Sequence, residues 1–334
     1  MQQSTFGKSG LTVTQIGLGL AALGRPGYIN LGHADDLEHN YEIAAMQSHT
    51  YQVLDAAWEN GVRYFDAARS YGRAESFLGA WLADRRIKPN QVSVGSKWGY
   101  RYSADWQVEV EEGSAHEVKE HSMAMFQLQM LESRAFLGDH LDLYQIHSAT
   151  LESKVLENEE LLEELAGLRE GGILIGLTVS GEKQAQVIER ALEIEIDGKR
   201  LFSSVQATWN LLERSTTAIL NAAHQAGVGV IIKEALANGR LTSRNQEADF
   251  AEKRARLERM ASERDTTIDA LALAAVLRQP FVDVVLSGAA RVEHLESNLK
   301  ALEVMWSDWM AEETADLVED PQQYWHIRSQ LAWN

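Results

Sequence analysis

The chain has 334 residues, no cysteine and a formal net charge of −18. Disulfides, thiolate metal sites and thiol nucleophiles are thereby excluded, and so acidic a balance disfavours a nucleic-acid partner, because phosphate backbones recruit Lys and Arg. The longest wholly apolar run, ALALAAVL (270–277), is too short for a bilayer.

The polar opening MQQSTFGKSG lacks the apolar centre of a signal peptide, so a cytoplasmic protein without a membrane partner is expected. STFGKSGLTVTQI (4–16) places a Gly-containing turn between two β-prone runs and reads as an opening hairpin. Strand-like runs then recur at 16–20, 62–67, 92–97, 141–147, 173–180, 202–209, 228–233 and 282–288. Amphipathic stretches such as 155–170 and 185–195 lie between them. Alternating strands and helices imply βα units. Eight of them define a single α/β domain over 1–334, a closed (β/α)8 TIM barrel with an N-terminal β-hairpin.

Three connections, 21–48, 98–115 and 234–265, are longer than packing requires, and each leaves the C-terminal end of a strand. Barrel active sites are built on that face. GLGLAA (17–22) fits a loose glycine fingerprint, but Pro26 and further glycines follow where a helix should start, and the Rossmann reading fails. The tail 304–334 carries Trp306, Trp309, Trp325 and Trp333. Packing on the barrel wall is the favoured role for it, over contact with a substrate.

In a period-2 reading, Asp66 ends the second strand, Lys97 the third and His147 the fourth, while Tyr71 lies on the turn after the second. Neighbouring strands bring these four groups to one patch of the mouth. A free phenol has a pKa of about 10, too high for ready proton exchange at neutrality. A nearby ammonium favours the phenolate, Asp66 serves as the counter-ion of Lys97, and a histidine can orient a substrate oxygen. The product is a tyrosine that gives a proton to a carbonyl oxygen or takes one from an alcohol. No HExxH or ligand-spaced cluster calls for a metal; Glu117 and His121 read as an exposed helix pair.

These residues lie in motifs that resemble the aldo-keto reductase family: GVRYFDAARSYGRAESFLG, VGSKW, DLYQIHSAT, IGLTVSG, VQATWNLLER and SGAARVEHLESNL. The resemblance covers nearly the whole chain, with Ala67 where Thr is usual. It implies Tyr71 as general acid/base, Asp66 and Lys97 as its tuning pair, and His147 as the carbonyl-orienting group. It also implies hydride transfer from a nicotinamide cofactor, NADPH/NADP in preference to NADH/NAD.

By the same resemblance, Gln206 holds the nicotinamide carboxamide. Thr178 replaces a common Ser, and Val179 a common Asn. Lys233 stands where an aromatic residue usually stacks on the nicotinamide ring. Leu236, Asn238, Gly239 and Arg240 form the pyrophosphate loop. Gly288 and His294 replace a frequent Lys and Arg, Arg291 is left to meet a 2′-phosphate, and Asn298 contacts the adenine. Trp98, Tyr100 and Trp209 are the expected aromatic wall for a small carbonyl or alcohol substrate, with Trp209 also a substitute platform for the ring. A monomer or small homo-oligomer is expected. The competing readings are a cofactor-sensing accessory protein on the same fold, and a lyase using Lys97 as a Schiff base, which the adjacent Asp66 disfavours.

Overall fold

The computed structural model describes residues 1–111 and 113–334. Glu112, inside the long connection 98–115, lies outside the described residues. Eight parallel strands close in chain order into a barrel: β1 (Ile16–Gly19), β2 (Tyr64–Asp66), β3 (Ser93–Trp98), β4 (Leu141–Ala149), β5 (Leu174–Val179), β6 (Ser204–Thr208), β7 (Gly229–Lys233) and β8 (Val284–Ser287). β8 closes the ring by pairing with β1, Val285 opposite Ile16. All eight fall where the hydrophobic pattern places them.

Alternate residues of each strand serve two cores. Phe65, Val94, Tyr144, Leu177, Val205 and Ile232 point outward into the layer beneath the helices. Tyr64, Leu143, Ile231 and Val284 point inward, where Phe6 and Val13 of the N-terminal hairpin plug the bottom. Burying each such side chain contributes about 1.5–3 kcal/mol. The inward positions nearer the strands' C-terminal ends carry polar groups, so the chemistry sits above a hydrophobic floor.

Three of the outer helices start where a side chain satisfies a free N–H group. Ser122 accepts from Met125 N ahead of the helix Met123–Leu137, Asn158 from Leu161 N ahead of Glu159–Glu170, and Thr267 from Ala270 N ahead of Ile268–Leu277. The layer comprises α1 (Ile43–Glu59), α2 (Ala74–Asp84), α3 (Met123–Leu137), α4 (Glu159–Glu170), α5 (Gln184–Leu192), α6 (Thr217–Gln225), α7 (Ala251–Ser262), α8 (Ile268–Leu277) and α9 (Val292–Leu299). None of the described helices is long and apolar enough to cross a membrane.

Two small hairpins depart from the expected pattern. Tyr100–Tyr102 pairs with Glu117–Lys119 above the mouth. Glu117 is therefore on a strand, and His121 lies beneath Trp98 with Nε2 2.9 Å from His147 O; the two do not form a helix pair. Three-residue strands carry too few alternations to register as a period. The second hairpin, Glu195–Ile196 with Lys199–Arg200, ends the helix expected over 185–195. Asp197–Gly198, both at positive φ, is the turn signal that marks it.

The tail packs in part on the barrel, the role favoured for it, and in part reaches the cavity. α10 (Pro321–Ser329) packs Tyr324 and Trp325 into a side core. Trp309 is exposed, while Trp333 turns back to line the mouth.

Candidate active site

A cavity of about 850 Å³ opens at the C-terminal ends of the strands. Asp66, Tyr71 and His147 line its deep part, and its lining continues through Gln206 and Lys233 to Asn238, His294 and Asn298.

Asp66 is buried under four donors. Lys97 Nζ donates to Oδ2, while Oδ1 accepts from Gln206 Nε2 at 3.1 Å and from Tyr64 Oη and Gln145 Nε2 at 3.3 Å. The space left by Gly95 is used here, because a Cβ at that position would meet Tyr64 Oη at 2.5 Å. Lys97 also donates to Ala67 O at 2.8 Å, and burial lowers its pKa despite the opposing pull of Asp66.

Tyr71 is placed by backbone contact. A Cβ on Gly24 would meet Tyr71 O at 2.2 Å, and one on Gly72, at φ +59°, would meet Gly24 O at 2.5 Å. Only glycines allow the loop after β1 and the tyrosine turn to cross so closely. Lys97 Nζ then lies 4.7 Å from the Tyr71 ring centroid. Burial, followed by the charge of Asp66, raises the phenol well above its ordinary pKa. The expected lowering by Lys97 does not prevail, because burial outweighs it and the carboxylate that holds the lysine also faces the phenol.

His147 packs edge-on to Tyr71, ring centroids 5.5 Å apart, with its Nδ1 3.4 Å from Ser70 Oγ. Burial and then the charges of Lys97, Arg25 and Lys233 hold it well below the usual imidazole pKa, hence neutral at pH 7. Thr178 Oγ1 accepts from Ser148 N at 2.7 Å and thereby braces the strand end that carries His147.

Lys233 follows Ile231 on the inward side of β7, opposite Thr208. Its Nζ donates to Ser180 Oγ and Thr208 Oγ1, each at 3.0 Å. Glu234 Oε1 is 3.7 Å away, but Arg328 of α10 holds that carboxylate at 2.5–3.2 Å. Burial drives Lys233 down to about 8.

Of the expected cofactor residues, Gln206, Lys233, Leu236, Asn238, Gly239, Gly288, His294 and Asn298 line the cavity. Arg240 does not; its guanidinium pairs with both Glu319 oxygens at 2.9 and 2.6 Å. Arg291 is also off the lining, exposed beside Glu293. Trp98 and Trp209 do not reach the mouth. Trp98 follows Lys97 and so points outward, packing on Phe126 of α3. Trp209 packs on Phe281 and donates to Thr217 Oγ1 at 2.8 Å. Tyr100 does stay near the centre, 4.9 Å from the His147 ring.

Arg25, Glu117, Arg244, Arg328 and Trp333 line the cavity without having been expected there. Arg25 is buried, pairs with Glu117 at 2.8 Å and lies 5.3 Å from the Tyr71 ring centroid. Arg244 is held by Asp36 at 2.5 and 2.8 Å, with His294 Nε2 3.2 Å away. Each reaches the site by a loop closure over long sequence separation, which no local spacing records. Among the described residues no group of three or more His, Asp or Glu could hold a metal ion.

A closed parallel barrel with Asp, Lys and His at adjacent strand ends, surrounding a loop-borne tyrosine, is the frame of an oxidoreductase. The chain belongs to the aldo/keto reductase family, whose sequence profile matches residues 15–319. It is 24% identical over 322 residues to YqkF, an uncharacterised oxidoreductase of Bacillus subtilis, covering 90% of this chain and 91% of that protein. It is 26% identical over 282 residues to norsolorinic acid reductase of Aspergillus flavus, covering 78% and 69% of the two chains. The structure of aldo-keto reductase AKR11C1 from Bacillus halodurans, in its holo form, superimposes with a TM-score of 0.71 at 21% identity, covering 97% of this chain and 99% of that one.

Proposed function

We propose that the protein interconverts a carbonyl compound and its alcohol with a nicotinamide cofactor, Tyr71 acting as general acid/base. The observation that carries this reading is the convergence of Asp66, Lys97, Tyr71 and His147 on one large cavity. The remaining lining suits a dinucleotide. Asn238 Oδ1 is buried without a partner in a loop where Glu234, Ala237 and Asn238 all hold positive φ, so a ligand that donates to it repays an otherwise unsatisfied acceptor.

Gln206 and Asn298 would hold the carboxamide and adenine, and the bound cofactor supplies the hydride. NADPH is the form favoured, because Arg244 and His294 offer cationic or donor groups to a 2′-phosphate; Asp36 tempers that preference by sharing the guanidinium. His147, neutral, donates one ring N–H to the substrate oxygen while Ser70 engages the other nitrogen. Tyr71, kept protonated by burial, gives its proton as negative charge builds on that oxygen; an alkoxide is a far stronger base than a phenolate, so the raised phenol still donates downhill. Lys97 limits the cost of the phenol's transient charge, and Asp66 holds Lys97 in place beside it.

The test is consumption of NADPH and of NADH, followed by absorbance, against a panel of aldehydes, ketones and sugars. Turnover with at least one carbonyl is expected. Failure to bind or consume either cofactor would end this reading.

A further inference from the structure

We propose that Lys233 sets the redox-state preference of the cofactor site, its ammonium weakening the binding of the oxidised nicotinamide ring, a cation, relative to the neutral reduced ring. The inference rests on the reading above that the cavity takes a nicotinamide cofactor.

Lys233 shares the inward face of the barrel mouth with the catalytic groups. A hydride can reach only a carbon whose oxygen is held by Tyr71 and His147, with the reacting atoms within about 3–3.5 Å. The ring must therefore occupy the mouth that Lys233 lines. The charges already present there compensate Lys233 only in part, because its one carboxylate neighbour, Glu234 at 3.7 Å, is shared with Arg328. Asp66 answers Lys97 and Glu117 answers Arg25, and His147 is neutral. Arg328 takes Glu234 at both oxygens, leaving Lys233 hydroxyl partners, which satisfy its protons without cancelling its charge. In a site shielded from water this charge acts strongly on a neighbouring cation. An aromatic residue at the same position would carry no such charge, so this departure from the family pattern has a direct electrostatic consequence.

The groups that face Lys233 are Glu234 of its own strand end, Arg328 from α10, Lys97 from β3 and His147 from β4, with Trp325 at 6.0 Å. Its titration near 8 makes the preference pH-dependent.

The experiment measures the ratio of dissociation constants, oxidised over reduced, for NADP+/NADPH and NAD+/NADH, by tryptophan fluorescence and calorimetry from pH 6.5 to 9.5. The ratio cancels any ionisation shared by the two forms, the 2′-phosphate included. At pH 7 the wild-type ratio is expected to exceed that of Lys233→Met about tenfold, an effect of about 1.4 kcal/mol. Lys233→Arg should retain the high ratio at every pH. The wild-type ratio should fall toward that of Lys233→Met as pH rises through 8, while Lys97, present in both proteins, drops out of their difference. Equal ratios in wild type and Lys233→Met, or a wild-type ratio flat with pH, overturn the proposal while leaving the function intact. If Lys233→Met does not fold, the comparison of wild type with Lys233→Arg across the same pH range decides the matter, because Lys97 is common to both and the arginine keeps its charge throughout. Binding of neither cofactor by the wild type defeats both.

Discussion

Two buried lysines end strands of the same barrel, and their surroundings give them opposite characters. Lys97 meets a carboxylate, Asp66, that no other cation among the described residues shares. Lys233 lies beside Glu234, whose oxygens Arg328 has already taken. Burial pushes both pKa values down. The difference lies in whether the nearest anion remains free to answer the charge. A lysine beside a carboxylate is thus paired or unpaired according to a third residue, here one that lies 94 positions away in sequence.

The largest effect tests whether the Lys97 side carries the chemistry. Tyr71→Phe should lower turnover by about 10²–10⁴-fold, the usual contribution of a positioned acid, while leaving the fluorescence response to NADPH nearly unchanged. Retained turnover would move the proton donor elsewhere. Next comes Lys97→Met, which strands the buried carboxylate of Asp66. Removing one partner of such a pair costs about 3–5 kcal/mol, measurable by urea unfolding. A loss below about 1 kcal/mol would mean that the three other donors to Asp66 suffice without the lysine.

Period-2 reading found Asp66, Lys97 and His147 because each strand end projects its side chain along a fixed direction once register is set, and Tyr71 was legible from its place on the turn that follows Asp66. The eight strands were legible for the same reason: apolar runs at regular spacing admit one closed arrangement. Arg25, Arg244 and Arg328 were not legible. Each is brought in by a loop or the tail, and their partners Glu117, Asp36 and Glu234 lie far away in sequence. Trp98 was misplaced although period 2 was available: a residue next to an inward-facing Lys97 must face outward. Arg240 and Arg291 resembled phosphate ligands by position, but Glu319 and Glu293 hold them elsewhere.

The third prediction sets the two lysines against each other. Lys233→Met should stabilise the fold at neutral pH by about 1–3 kcal/mol, the reverse of Lys97→Met, because Glu234 keeps Arg328 while a buried and only partly answered charge disappears. The sign follows from the folded value of about 8 against an ordinary 10.5. Below pH 8 both folded and unfolded states hold the proton, and the folded state bears the full cost. Between about 8 and 10.5 the unfolded state binds more protons, so wild-type stability from this group rises with pH. The gap between variant and wild type should close across that window. A variant less stable than wild type at pH 7 would show that Lys233 is paired after all.

The smallest effect concerns the far end of the cavity, where the same rule of prior partners applies to arginines. Arg244 lines the cavity but is shared with Asp36, and Arg291 is exposed beside Glu293. Arg244→Ala should raise the dissociation constant for NADPH about tenfold more than that for NADH, since a guanidinium–phosphate contact is a charge-assisted hydrogen bond. Arg291→Ala should change neither by more than about twofold, as expected of an exposed ion pair worth at most about 1 kcal/mol. Direct titration of both variants with both cofactors decides it. If Arg244→Ala weakens NADPH and NADH alike, Asp36 has neutralised the guanidinium as thoroughly as Arg328 has claimed Glu234, and the 2′-phosphate finds no cation there.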